Sequence, residues 1–341
     1  MKKSLVALAV LAASGAAMAQ SSVTLFGVVD AGYSVGKGAT NKTQLATDRI
    51  GSSRLGFRGV EDLGGGMRAE FWLEAGVAND SGAGANTNTN NQASGATTSG
   101  LTFNRKSTVG LVGSMGEIRL GRDYTPQFYT DAIFDPFGTN GVASSLIAYG
   151  GGLTAVRASN MIAYHSPVVG GFKVMLGSYM GENNTGAAAG KAGDGNGVYV
   201  NYTNGPLTLA TGSATTKTSA STEVKTSNFG GSYNLGVANL SAESNTVSNT
   251  GAVDVKGRLI GATIPMAGGT FKISNASLKQ GAAETKRNAV GFVKPLSKRT
   301  SLFATYARNG NSGGAARGLN GATVNANQSS TGYDFGVNHT F

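Results

Sequence analysis

Strict alternation of apolar and polar residues is what most limits the folds open to this chain, and it is clearest over residues 331–341. There Tyr333, Phe335, Val337, His339 and Phe341 share one face of an extended strand, while Asp334, Gly336, Asn338 and Thr340 share the other. A strand that is apolar on one face and wet on the other suits either a soluble sandwich or a transmembrane β-barrel. In a barrel it meets lipid outside and water inside over about 9 to 11 tilted residues. The opposite terminus favours the barrel. Met1-Lys2-Lys3, the apolar run Ser4 to Ala13 and the small residues Ala17-Met18-Ala19 predict a secretory signal peptide over 1–19 and a chain continuing from Gln20. That run is shorter than the about 20 residues a spanning helix needs, and no comparable run follows. Export without a helical anchor leaves the periplasm, the exterior or an outer-membrane barrel.

Composition narrows the choice. The 341 residues include 53 glycines and only 13% charged residues, about twice and about half of average usage. Barrels dilute charge by giving half of each strand to lipid, and they use glycine where side chains crowd the wall or the chain turns sharply. A disordered secreted chain would share the glycine content, but 11 Tyr and 14 Phe recurring at two-residue spacing argue against it. There is no Cys, so stability must come from a closed hydrogen-bonded wall and not from disulfides. The formal charge is +10, and about +8 if Lys2 and Lys3 leave with the signal. No basic run longer than two residues follows the signal, which argues against nucleic acid as a partner.

From Ser22 onward the pattern predicts about sixteen antiparallel strands, near 22–34, 50–60, 66–78, 101–113, 116–123, 157–166, 171–181 and 196–204, then 206–214, 225–235, 236–246, 253–265, 269–279, 286–295, 300–309 and 331–341. Short connectors rich in Gly, Pro, Asn and Asp, such as Asn204-Gly205, alternate with long polar ones such as 79–100 and 309–331. Barrels put short turns on the periplasmic side and long loops outside. The connector 123–156 breaks the rule, since it carries Phe128, Tyr129, Phe134, Phe137, Leu146, Ile147 and Tyr149. A loop this apolar needs to be packed, either inside the barrel or against a neighbouring subunit.

In this order and spacing, the segments Ser22 to Asp30, Ser53 to Gly64, Phe71-Trp72-Leu73-Glu74, Phe103 to Lys106, Leu120-Gly121-Arg122, Tyr164 to Pro167 and Val337 to Phe341 resemble the general diffusion porins of Gram-negative bacteria, most closely the neisserial and β-proteobacterial branch. The resemblance implies a sixteen-stranded trimeric barrel in the outer membrane. Its third external loop folds inward as a constriction, and small hydrophilic solutes and inorganic ions pass by diffusion. It also implies contact with outer-membrane lipid, including lipopolysaccharide. Tyr333, Phe335, Val337 and Phe341 would be the terminal signal read by the barrel assembly machinery. No cofactor is implied.

Strand parity assigns the charged residues independently, because an Arg on the lipid face near the midplane costs about 2 to 4 kcal/mol. Leu55 and Phe57 facing lipid send Arg54 and Arg58 inward. Met67, Ala69, Phe71 and Leu73 leave Arg68, Glu70, Trp72 and Glu74 in the lumen, Ile118 and Leu120 do the same for Glu117 and Arg119, and Ile162 and Tyr164 for Arg157 and His165. The resemblance places an arginine cluster on the wall opposite the inward loop, and the matching positions are Arg54, Arg105 and Arg157. Arg105 conflicts with parity, since it is in phase with Val109 and Leu111; a bulge or a position above the hydrocarbon band would reconcile it. Asp123, Asp131 and Asp135 would supply the opposing acids on the loop. Such an opening would carry a transverse field and, with basic residues in excess, a weak to moderate anion preference.

An enzyme is not expected. No Cys nucleophile exists, and His165 and His339 fall beside a predicted periplasmic turn and in the terminal strand, with no evident catalytic partner. Asp131 and Asp135 lack the fixed turn of a cation loop, and no metal site is expected. A substrate-specific channel would show an aromatic ladder down the lumen, whereas here only Phe26 and Trp72 point inward. An adhesin acting through the long loops is the alternative from another class.

Overall fold

The computed structural model describes residues 22–96, 100–145, 152–184, 186–187 and 189–341. The predicted signal peptide and the residues Leu146, Ile147 and Tyr149 of the apolar connector lie outside the described residues. Eighteen strands occur among the described residues: β1 (Ser22–Lys37), β2 (Lys42–Thr47), β3 (Arg54–Gly64), β4 (Met67–Ala78), β5 (Ala83–Gly84), β6 (Lys106–Gly113), β7 (Gly116–Tyr124), β8 (Arg157–His165) and β9 (Phe172–Tyr179) in the first half. The second half holds β10 (Gly195–Asn204), β11 (Leu207–Lys217), β12 (Glu223–Asn234), β13 (Asn239–Asn249), β14 (Val255–Met266), β15 (Gly269–Gln280), β16 (Ala283–Pro295), β17 (Thr300–Ser312) and β18 (Ser330–Thr340).

Sixteen of these make the closed antiparallel wall. The short β5 pairs only with the end of β4. The other extra strand, β2, carries on the line of β3: β1 pairs with β3 through Ser22–Val28 and with β2 through Ala31–Gly36. Closure comes from β1 and β18, paired from Val28 with Thr340 to Lys37 with Thr331. No open edge is left, as a wall in lipid requires.

The two-residue period sorts the side chains as expected. Leu25, Val109, Leu111, Ile118, Ile162 and Phe335 are exposed on the outer face. Phe26 and Trp72 are inward, their rings edge to face at 5.1 Å. Several boundaries differ from the sequence reading. The strand expected from residue 101 begins at Lys106, so Arg105 precedes it and escapes its parity. Strand β7 runs through Tyr124, which puts Asp123 in the wall and not in the connector. The external connector between β15 and β16 is only Gly281-Ala282.

After β7 the chain forms one helix, α1 (Pro126–Phe134), opened by Pro126 at its first turn, where the missing N–H costs nothing. Gln127, Asp131 and Phe134 are spaced i, i+4, i+7, lie on one face and are buried. That face packs on the wall side opposite the exposed apolar residues. Asn228 of β12 donates through Nδ2 to the Gln127 carbonyl (2.8 Å) and to Asp131 Oδ1 (2.7 Å). Glycines make the approach possible. A Cβ at Gly230 would collide with the Phe134 ring, one at Gly261 would lie 2.5 Å from the Pro136 ring, and one at Gly332 would lie 2.7 Å from Val142. The segment from Pro126 to Val142 therefore lies along the wall from β10 towards β18 in a track cleared of side chains.

Candidate functional site

A cavity of about 700 Å³ lies between this segment and the wall. Arg54, Arg105, Arg157 and Tyr124 line one part of it, and Thr139, Asn140, Ser144 and Ser145 line another. The three arginines come from different places: the first residue of β3, the bend before β6, and the first residue of β8. Each sits at a strand end, where the chain enters or leaves the wall.

Glu74 of β4 and the Tyr124 hydroxyl hold the three together. Arg105 is buried, donates through Nε to Glu74 Oε1 and approaches Tyr124 Oη at 3.4 Å. Arg54 Nε is 3.8 Å from the same carboxylate oxygen. Arg157 donates through Nε to the Arg105 carbonyl (2.8 Å) and through Nη2 to Tyr124 Oη (3.1 Å), with its guanidinium 4.5 Å from the centre of that ring. Trp72 Nε1 donates to the other Glu74 oxygen at 3.0 Å. One carboxylate thus pairs with two guanidiniums while the Tyr124 hydroxyl ties in the third, and the cluster carries excess positive charge. The acid lining the cavity is Asp48, whose Oδ1 already accepts the Ser53 N–H at 2.6 Å.

Sequence reasoning missed a fourth guanidinium. Arg122 donates to the Asn104 and Asn88 carbonyls (2.6 and 3.2 Å) and to Ser159 Oγ (2.9 Å). Parity put it in phase with Ile118 and Leu120. The pairing of β7 with β8 slips between Gly121 and Asp123, with Gly121 at φ +124°, so the period fails at that point. Gly121 next to an arginine was the available signal.

The remaining basic candidates form a second group. Arg58, Trp72, Lys106 and Arg119 line a smaller cavity of about 230 Å³. Arg58 lies 5.4 and 5.3 Å from the Phe26 and Trp72 ring centres. Arg119 pairs with Glu117 (2.7 Å) and with Asp123, and Arg68, half-exposed, pairs with Glu70. Arg68 and Arg119 are thus balanced by adjacent carboxylates, whereas Arg58 rests on aromatic rings.

The acids are not arrayed against the arginines. Asp123 is a wall residue held by Arg119 and by Lys106 at 3.2 Å. Asp131 faces the other way, into β12 and β13, bonded to Asn228 and Asn245. Glu243 of β13 is buried beside it, within hydrogen-bond reach of the Asp131 carboxyl when one of the two carries a proton. Burial pushes the Asp131 carboxyl above the ordinary carboxylate range, against the pull of its hydrogen bonds. Asp135 closes a turn of its own connector, accepting the N–H groups of Phe137 (2.8 Å), Thr139 (3.1 Å) and Ser145 (2.7 Å). Burial raises it as well, more than those bonds lower it. The expected opposition of loop acids and wall arginines is therefore replaced by arginines facing Thr139, Asn140, Ser144 and Ser145.

His165 is buried at the end of β8, its ring 6.3 Å from that of Tyr129, and His339 is exposed, with Nδ1 2.9 Å from the Thr300 hydroxyl. Neither belongs to the cavity of the arginine cluster. Among the described residues no group of three His, Cys, Asp or Glu is placed to hold a metal ion.

Comparison with known proteins gives consistent neighbours. Residues 4–314 match the profile of the Gram-negative porins. The outer membrane porin protein 32 of Delftia acidovorans is 39% identical, with all of both chains covered. Among solved structures, an anion-selective porin from Comamonas acidovorans superposes with a TM-score of 0.84 at 33% identity, over 94% of this chain and 100% of that one. An outer membrane protein of Vibrio cholerae in a trimer form shares the fold at 14% identity, with a TM-score of 0.64 over 94% and 99% of the two chains.

Proposed function

The chain belongs to the Gram-negative porin family, and from that membership we propose that its selectivity is set where Arg54, Arg105 and Arg157 meet the connector after β7. It is a channel protein of the outer membrane for passive diffusion, not an enzyme. The connector narrows the path, and the arginines make the narrow part anion-preferring. The observation that carries this reading is the imbalance of the cavity: Glu74 pairs with Arg54 and Arg105 and leaves Arg157 to the Tyr124 hydroxyl, while Asp131 and Asp135 are turned away. An anion passing there meets fixed donors that need no reorganisation. Two charges about 4 Å apart in a poorly screening opening interact by about 4 kcal/mol, against about 1 in bulk water. The anion-selective relative supports the sign.

The test is the reversal potential of the refolded protein in a planar bilayer under a KCl gradient. The wild type is expected to favour chloride, and Arg54→Ala with Arg157→Ala to move the potential towards zero. A double mutant indistinguishable from wild type would overturn the assignment. We further read the protein as a homotrimer whose chain starts at Gln20 after signal removal, with Tyr333, Phe335, Val337 and Phe341 on the outer face of the last strand as the contact for the assembly machinery. Native mass spectrometry and N-terminal sequencing of the membrane-extracted protein test the first two.

A further inference from the structure

Below the arginine cluster the inner wall carries a second basic tier, and one of its members is unlike the rest. Strand β3 runs from Arg54 down to the tight turn Gly65-Gly66, so Arg58 lies four residues, about 13 Å, nearer the periplasmic end. Between the two arginines the Phe26 ring covers Gly56, where a Cβ would collide with it. Antiparallel register arranges the residues around Arg58 in rows. Arg58 is opposite Trp72, and Trp72 opposite Thr108; the next row down is Val60, Glu70, Gly110 and Arg119. These rows enclose the hollow of about 230 Å³, with Lys106, one row above Thr108, at its upper edge.

The charges around this hollow do not cancel. Arg68 pairs with Glu70, Arg119 with Glu117 and Asp123, and Lys106 with Asp123. Counting Arg58, four cations face three carboxylates, and the charge left over belongs to Arg58. That side chain is exposed, and among the described residues it has no carboxylate at ion-pair distance and no hydrogen bond. Rings alone support its guanidinium, 5.4 Å from the Phe26 centre and 5.3 Å from that of Trp72. Lys106 Nζ lies 4.9 Å from the same Trp72 ring centre. An arginine resting on aromatic faces keeps all five N–H donors, in a fork that fits a carboxylate with two parallel bonds. In the upper cluster, by contrast, Arg105 and Arg157 already donate to Glu74, to Tyr124 and to a backbone carbonyl. Pockets for drug-sized ligands begin at about 300 Å³, so this hollow suits a smaller molecule. Trp72 and Val60 beside the free fork offer apolar surface to a ring, which chloride would leave unused.

We infer that this hollow is a binding subsite for a small aromatic monocarboxylate. The carboxylate takes the two-pronged donation of Arg58 and neutralises the one unbalanced charge, while the ring lies against Trp72 and Val60. The inference rests on the reading of the chain as an open channel, which brings the ligand to the inner wall.

The test is the single-channel current of the refolded protein in symmetric KCl at neutral pH as benzoate or cyclohexanecarboxylate is added. The two acids are similar in size, and only the first is aromatic. Wild type should be half-blocked by benzoate at a concentration at least about fivefold below that for cyclohexanecarboxylate, the gain expected when a guanidinium meets a π face. Arg58→Gln should raise the benzoate value at least about tenfold through loss of a charge-assisted, two-pronged bond. Arg58→Lys keeps the charge but not the fork or the flat face, so it should lose most of the preference between the acids, which a purely electrostatic role would leave unchanged. Equal half-blocking concentrations of the two acids in wild type, which needs no variant to fold, would overturn the proposal. An unchanged benzoate value in Arg58→Gln, or an unchanged preference in Arg58→Lys, would do the same. The wild-type reversal potential under a KCl gradient, read on the same channels, separates this subsite from the upper cluster. Chloride preference without discrimination between the acids removes the subsite alone, and discrimination without chloride preference removes the upper assignment and leaves the subsite.

Discussion

The wall from β3 to β8 and the wall from β10 to β16 enclose the same interior by opposite means. The first is bare of the helical segment and keeps long side chains, with Arg54, Arg105, Arg157 and Tyr124 reaching inward from strand ends. The second is stripped to glycine at Gly212, Gly230 and Gly261 so that α1 and the residues after it can lie flat against it. Charge follows the same division. On the bare side cations outnumber acids and face open volume, and on the covered side Asp131 and Glu243 are sealed beneath the helix. A selective channel can therefore place its loop and its charge on separate faces, so that the packing that holds the loop does not use up the groups that act on solutes.

The largest expected effect tests the bare side. Arg105→Ala removes the buried guanidinium nearest Glu74 and should cost about 3 kcal/mol, since that carboxylate keeps only the Trp72 N–H and the more distant Arg54. Arg54→Ala, at 3.8 Å and more exposed, should cost less than about 1 kcal/mol. Denaturant titration of the refolded barrels compares them, and equal losses would mean that the cluster is not organised around Arg105. On the covered side, Gly230→Leu should overpack the Phe134 pocket by about 2 kcal/mol. It should also lift the connector and raise single-channel conductance, and a folded mutant of unchanged conductance would show that the connector does not limit the path.

A smaller effect concerns protons. Because burial holds Asp131 above its ordinary value of 3.8, the native state binds its proton more tightly than the unfolded chain. The stabilisation is complete below pH 3.8 and declines as pH rises through the native value. Thermal unfolding followed from pH 4 upward should fall more steeply for wild type than for Asp131→Asn, and parallel slopes would contradict the assignment. The smallest effect is expected at Arg68→Ala, a half-exposed pair with Glu70, worth less than about 1 kcal/mol and with little change in reversal potential.

Parity in the sequence placed Arg54, Arg58, Arg68 and Arg119 inward because each lies within or at the start of a regular strand, where the period is fixed by the pleat. Arg105 and Arg122 escaped it for one physical reason, a local loss of strand geometry: the bend before Lys106 in one case and the slip at Gly121 in the other. The acids failed differently. Asp131 sits on a helix, so its direction is set by the i, i+4, i+7 set with Gln127 and Phe134, and an apolar Phe in that set already pointed it at the wall. Nothing in the local sequence tells Asp135 to satisfy the N–H groups of Ser145, ten residues away. The glycine track was visible only as an excess of glycine, because its order is set by which strands lie under the segment.

The pairing of β1 with β18 has a kinetic consequence. Ser34 donates to Asp334 at 2.6 Å across a separation of 300 residues, and the ten-residue register around it is the last seam of the ring. Closing a loop of that length costs roughly 5 kcal/mol of chain entropy before any of its bonds form, so local hairpins should accumulate first and the ring should shut in a late, slow step. Until then two strand edges are unsatisfied in a solvent that offers them nothing. Substitutions at Ser34 or Asp334 should therefore show themselves in how long the chain takes to become a barrel, more than in what the finished barrel lets through.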